Sequence, residues 1–367
     1  MPLASTFNCR RRTLWALIVI AATLIVSVAA GAENWTMQIR VDGQAYEGRL
    51  VGRDAASLMF QERDGALRTF DLDRVSDWKK TSSSFAAKTY RELKGDLQAE
   101  FGRVFVVTGA SQYVVVHPRG GEVWAERLDD IYRSFFRFFE LRGLRLNSPE
   151  FPLIAVVFPD KPAFDVYARE HGFELSPQVY GFYAPATNRV YLFDRPTPGA
   201  TRGSWELGRQ IVYHEASHQL AYNTGLHSRT GEMPQWLVEG LGTYFETKSV
   251  WSREPSTTQT RLHPDQAATY LAFVAKQKRP YLQDFVAKDA LFQREPLDAY
   301  ALSWALTYYL TEQNGAAYLK YMQKIASLPA GTEYDAKQRL TDFEATFGSN
   351  WQLLEANVAR LVRQHAR

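Results

Sequence analysis

Residues 210–222 read QIVYHEASHQLAY, two histidines four apart with a glutamate directly after the first. The stretch belongs to a helix. Ser204 is placed to cap its start, Glu206 sits in the first turn, and Gly225 stops it. Leu207, Ile211, Val212, Leu220 and Ala221 supply the periodic apolar positions. On such a helix His214 and His218 lie on one face, about one turn apart. Two imidazoles in that relation can bind one zinc ion. Glu215, rotated by roughly 100°, can reach a water bound to that ion. The bland alternative is two histidines beside a helical salt bridge.

A hydrolytic zinc site needs three protein ligands and an open fourth position. The metzincin spacing would put glycine at 221 and histidine at 224, where this chain has Ala221 and Thr224. Downstream lies MPQWLVEGLGTYFE, residues 233–246, with Pro234 suited to the first turn of a new helix. Glu239 follows His218 by enough chain for a loop and a returning helix. Gly240 and Gly242 lie inside that helix, at about 1 kcal/mol each relative to alanine. Close approach to the first helix would explain them and would let Glu239 reach the metal. Glu246, two turns on, is too far to be a ligand, and His227 in the intervening loop is the rival.

HEASH followed by PQWLVEGLGTYFE resembles the gluzincin pattern, an HExxH and a downstream WLxEGxAxYxE, as in the aminopeptidase branch of the zinc metallopeptidases. A longer stretch, about residues 95–365, resembles a bacterial family catalogued as a domain of unknown function with a peptidase-like core. FPLIAVVFP, GFYAPATNRVYLFD, HQLAYNTGLHSR, YALSWALTYYL and FEATFG carry that likeness. The resemblance implies His214, His218 and Glu239 as ligands of one Zn2+ per chain and Glu215 as general base. It also points to Tyr300, in DAYALSWALTYYL, as a donor to the tetrahedral oxyanion. An aromatic core face around Tyr300, Trp304 and Tyr308 explains the same residues without catalysis. Gly242 stands where the aminopeptidases usually carry alanine. No GxMEN-like segment, which there captures a free amino terminus, is found, so the expectation is an endopeptidase.

The remaining sequence sets the context. Arg10 to Arg12, the apolar run Leu14 to Val28 and Ala30-Gly31-Ala32 have the layout of a signal peptide over residues 1–32. The expectation is export, to a periplasmic or secreted location, with a membrane anchor only if that segment is not cleaved. The segment carries three of the 43 basic residues and none of the 40 acidic ones, so the remainder is formally neutral and nothing in its charge suggests a nucleic-acid partner. The one cysteine, Cys9, lies in the same segment, which excludes disulfides and cysteine ligands from the exported chain.

Residues 33–80 alternate in the period-two manner, with Asp42-Gly43 and Asp64-Gly65 as turns, and predict an SH3-like small β-barrel. Its expected role is packing or spacing. A linker over 81–94 and a gluzincin-like region over 95–367 follow. That region opens with strands and ends in helices, an α+β zincin-like pattern. Residues 189–194, RVYLFD, are placed to be the edge strand that pairs with an extended peptide, though ordinary sheet structure accounts for them equally. The overall expectation is a zinc endopeptidase acting on peptide or protein. A zincin-fold scaffold without turnover and a zinc hydrolase of a non-peptide cell-wall amide are the alternatives, and an intact Glu215 favours an enzyme.

Overall fold

A computed structural model describes residues 34–194, 206–252 and 254–366. The expected signal segment and the Ser204 cap lie outside them. No helix among the described residues is long and apolar enough to cross a membrane.

The first sheet is antiparallel: β1 (Thr36–Val41), β2 (Gln44–Arg53), β3 (Ser57–Glu62), β4 (Leu67–Asp71) and β5 (Val75–Ser82), in the order β4-β3-β2-β1-β5. Met37, Ile39 and Val41 point inward from β1 onto Leu58 and Phe60. The Asp42-Gly43 turn takes positive φ at both residues, 49° and 84°, which a two-residue hairpin requires. The sheet stays open. Among the described residues no ladder joins β4 to β5, so the expected closed barrel is not formed. The sequence of β5, VSDWKKTS, gives the reason. Seven of its eight residues are exposed, and it offers no apolar row on which β4 could close.

The last five residues of the stretch read as a linker, 90–94, begin a helix. Thr89 and Glu92 form a reciprocal capping box at the start of α1 (Tyr90–Phe101). The second sheet combines β6 (Phe105–Ala110), β7 (Tyr113–Pro118), β8 (Leu153–Phe158), β9 (Gly181–Ala184) and β10 (Arg189–Phe193). Its order is β6-β7-β8-β10-β9, with β8 parallel to both β7 and β10. β10 is therefore interior, and the edge strand is β9 rather than the 189–194 stretch. All six residues of β8 are buried. One face, Val115, Leu153, Ala155 and Val157, packs beneath α2 (Val123–Glu140). The other, Val114, Val116, Ile154 and Val156, meets α1 and Phe164 of α3 (Lys161–Glu170).

The C-terminal half is helical: α4 (Glu206–Asn223), α5 (Gln235–Phe245), α6 (Lys248–Trp251), α7 (Pro264–Lys276), α8 (Leu282–Ala287), α9 (Ala290–Arg294), α10 (Pro296–Ala326), α11 (Ala336–Phe347) and α12 (Trp351–His365). The described residues are thus α+β with two sheets. α4 lies against β9, β10 and α2, and α5 is packed between α4 and α10. Gly240 makes the second contact possible. A Cβ there would lie 2.2 Å from Thr307 Oγ1 and 2.6 Å from the Ser303 carbonyl oxygen.

Gly240→Ala should therefore lower the free energy of unfolding by about 1–3 kcal/mol, the usual cost of overpacking. Gly95→Ala, in α1 with open space around it, should raise it by up to about 1 kcal/mol. Denaturant titration of both variants checks the contrast. Stabilisation by both would mean that α5 is not held by close approach to α10.

Candidate metal centre

α4 ends as the sequence suggests. Gly225 adopts φ 85°, and the amides of Leu226 and His227 both donate to the Ala221 carbonyl. The chain returns through a loop and restarts at Pro234, whose carbonyl accepts from Leu237 and Val238. The Gln235 amide is held by Asp289 at 3.0 Å. α5 then runs along α4 with Gly242 facing the two histidines. A Cβ on Gly242 would lie 2.8 Å from His218 Cε1 and 2.9 Å from His214 Cε1. The two glycines thus serve opposite sides of one helix.

This packing brings His214, His218 and Glu239 together. Their potential ligand atoms all lie within 4.8 Å of one another, and all three side chains are buried. Glu239 Oε2 is 3.3 Å from His214 Nε2 and 3.6 Å from His218 Nε2. Zinc bonds of 2.0–2.2 Å at a tetrahedral angle imply ligand separations of about 3.4 Å. The two measured edges bracket that value, and two imidazoles with one carboxylate are a donor set zinc accepts. The residues present fit the ion.

Electrostatics points the same way. Burial alone would push the Glu239 carboxyl up, but hydrogen bonds with His214 and His218 hold it well below the usual range. Burial would also push His214 down. Its contacts with Glu239 and Glu246 outweigh that and raise it well above the ordinary imidazole value. A carboxylate wedged between two rings thus draws positive charge to that point, and a bound cation would take the place of the shared proton.

Glu246 is near the cluster without belonging to it. Its Oε1 accepts from His214 Nδ1 at 2.8 Å, and its Oε2 accepts from His263 Nε2 at 3.2 Å. The Gln266 amide donates to His263 Nδ1 at 3.5 Å, at the start of α7. The chain of donors fixes the rings. With Nδ1–H given to Glu246, neutral His214 keeps its Nε2 lone pair toward Glu239. Neither Glu246 nor His263 was assigned a role from the sequence. A second glutamate two turns beyond Glu239 was visible, but only the packing of α5 and α7 shows what it holds.

Glu215 points the other way around α4. Its Oε2 accepts from the Tyr183 amide on β9 at 2.8 Å. Burial, with Glu239 adding to it, raises its pKa against the pull of His214 and His218. Tyr300, on α10, is buried with its ring centroid 6.4 Å from that of His214, and it packs edge-on against Phe292. The structure so places Tyr300 beside the cluster and in the aromatic core at once. His227 is buried against Tyr222, 5.1 Å between rings, and is not part of the cluster. Burial pushes it down to about 3.

Residues 210–330, about a third of the chain, match the model of a family described as "Protein of unknown function (DUF1570)". The match takes in all of α5 and α10 and α4 from residue 210 on, and so every residue of the cluster. No curated protein matches. Among solved structures the chain is similar to an M1 zinc metallopeptidase from Deinococcus radiodurans, a mutant bound to a Tyr-Ser-Ala substrate. Identity is 15%, the TM-score is 0.33, and the likeness covers 71% of this chain. The chain spans about half the length of that protein, 51%. A likeness at that TM-score is too slight to settle fold or activity.

Glu246→Gln should keep the fold and lower zinc affinity about 10- to 100-fold, the usual cost of removing a carboxylate behind a ligand histidine. His263→Ala, which removes only the outer link, should cost less. Chelator competition measures both. Unchanged affinity in Glu246→Gln would leave Glu246 as a core partner of His214 and nothing more.

Proposed function

We propose that this protein is an exported zinc-dependent hydrolase of amide bonds, most simply an endopeptidase. The observation that carries the reading is the convergence of His214, His218 and Glu239, with both Glu239–histidine distances near a tetrahedral edge length, and with Glu215 adjoining the two histidines on the same helix. His214, His218 and Glu239 would hold one zinc ion. That ion would supply Lewis acidity, polarising a scissile carbonyl and acidifying a water. Glu215 would take the proton of the attacking water and deliver it to the leaving amine. A carboxylate raised by burial is suited to both steps, because it holds a proton more readily than an exposed one. The Tyr183 amide fixes one of its oxygens. The Tyr300 hydroxyl would donate to the oxyanion. Tyr183 turns its amide away from β10, and by strand alternation Gly181 shares that side. An extended substrate would add to β9 there. Peptide or protein is the proposed substrate, and export rests on the layout of residues 1–32.

A second reading keeps the metal and drops the turnover. His214, Glu215, His218 and Glu239 are only 2%, 3%, 6% and 6% exposed, and so enclosed a cluster also suits a metal that holds a scaffold together. Metal content and hydrolysis of a mixed peptide library, measured on the same preparation, separate the two. The hydrolase reading expects about one zinc per chain and cleavage. Glu239→Gln should lose zinc, whereas Glu215→Gln should keep zinc and fold while losing cleavage. Full zinc occupancy without any cleavage by the wild type would favour the scaffold.

Tyr300→Phe tests the remaining assignment. It removes one hydroxyl and keeps the ring and nearly all the buried area. If that hydroxyl serves the transition state, turnover should fall about 100- to 1,000-fold, with KM and zinc content nearly unchanged. A fall of less than about 5-fold, far below the range for such donors, would leave Tyr300 a packing residue.

A further inference from the structure

We propose that the β3–β4 hairpin of the first sheet is a working part of this site. Through Arg229 and the Leu67 amide it fixes the turn between β9 and β10, which Asn188 ties to α4, and with it the Tyr183 amide that holds Glu215. The proposal deepens the hydrolase reading and rests on it for its catalytic consequence.

The turn itself supplies the first reason. Asn188 is 1% exposed and adopts φ 60°, in the left-handed region. A buried polar side chain on such a backbone needs its partners, and Asn188 has them. Its amide pairs both ways with Asn223, at 2.9 and 2.7 Å. Its side-chain oxygen also accepts from the Tyr183 hydroxyl at 2.9 Å. Its carbonyl accepts from Gln219 Nε2 at 2.8 Å. Glu215, Gln219 and Asn223 are spaced i, i+4 and i+8 on α4, so they share one face. The face that carries the proposed base is thereby fastened to the turn.

The opposite side of the turn is gripped by the first sheet. The Leu67 amide, at the start of β4, donates to the Ala186 carbonyl at 2.7 Å. Arg229, in the loop after α4, donates to Pro185 O at 2.9 and 2.6 Å and to Gly65 O at 2.7 Å. Among the described residues no carboxylate forms an ion pair with Arg229. A guanidinium placed this way staples two main-chain carbonyls, one from each sheet. The hairpin tip fits closely. Gly65 adopts φ 90°, and a Cβ there would meet Phe151 Cγ at 3.0 Å and Asn188 Nδ2 at 3.2 Å. Tip, turn and α4 face therefore form one continuous polar contact that ends at the Tyr183 amide on Glu215. Arg229 and Asn188 act on the base through Tyr183; they are positioning residues. A 1 Å misplacement of a reacting group can cost about 100-fold.

The test uses the zinc-loaded full chain and three variants that alter no residue of the metal cluster. Leu67→Pro removes the one amide that the hairpin gives the turn, at a strand start where proline is tolerated. Arg229→Met removes the staple at similar size, and Arg229→Lys restores one charged donor. Three readouts are taken: zinc per chain, hydrogen exchange over residues 181–193, and kcat against KM on a cleaved peptide. Zinc should stay at the wild-type level, and exchange over 181–193 should rise. Turnover should fall about 10- to 100-fold with KM within about 2- to 3-fold. Arg229→Lys should recover part of the loss. Normal exchange and turnover in Leu67→Pro and Arg229→Met would overturn the proposal. So would raised exchange with normal turnover per folded chain, or zinc lost along with turnover. If the wild type cleaves no peptide, the hydrolase reading fails on that result alone. The exchange readout still decides whether the hairpin holds the turn.

Discussion

Everything in the candidate site depends on how near α5 can come to α4. Imidazole and glutamate side chains are short, so three donors from two helices converge only if the helix axes are close. Gly242 permits this by leaving the space that the His214 and His218 rings occupy. Gly240, two residues earlier and so on the opposite side of the helix, lets α10 close in from behind. Each glycine costs about 1 kcal/mol of helix propensity. Trp236, Leu237, Leu241, Tyr244 and Phe245, the apolar neighbours of Glu239 on the same helix, are all buried, and their burial offsets that cost.

The same approach gathers charge. Glu215 and Glu239 are buried and Glu246 is half-buried within one small region, with His214, His218 and His263 among them. Three carboxylates so enclosed among neutral imidazoles would be far from neutral, and such charge is tolerated only when paired. The chain meets this in three ways. Glu246 is shared between two ring donors, Glu215 is raised toward its neutral form, and Glu239 draws positive charge onto the point between His214 and His218. A dication bound there would supply the same charge without protonating a ligand.

Much of this was legible in the sequence. Helical spacing placed His214 and His218 on one face, and Gly240 and Gly242 announced a close helix contact before any partner was known. The hairpin at Asp42-Gly43 and the strand at 189–194 followed from turn chemistry and alternation. What was not legible depends on packing between distant segments. Closure of the first sheet turned on whether β5 had an apolar row to offer, and period-two alternation alone does not answer that. The start of α1 was hidden among residues that resemble a linker, although its capping box was present in TYRE. Choosing β9 over β10 as the edge requires strand order, which no local pattern contains. Glu246 and Asn188 have roles set by where α7 and the first sheet come to rest.

α4 shows most plainly how a site differs from a core. Residues 211–221 are all buried, so that stretch of the helix has no solvent face and no ordinary amphipathic pattern. Yet five of those eleven are polar: His214, Glu215, Ser217, His218 and Gln219. Packing alone would select apolar residues there, since each buried polar group costs free energy unless it is partnered. Several partners are supplied from three directions: Glu239 from α5 and Glu246 just past its end, the Tyr183 amide from β9, and the Ile154 and Asn188 carbonyls for Gln219. The His218 Nδ1 and Ser217 Oγ atoms have no hydrogen-bond partner among the described residues. A helix enclosed on every side, and still polar along the faces that meet α5 and β9, departs from what stability would choose. Such departures are expected where residues are kept for chemistry or for a bound ion.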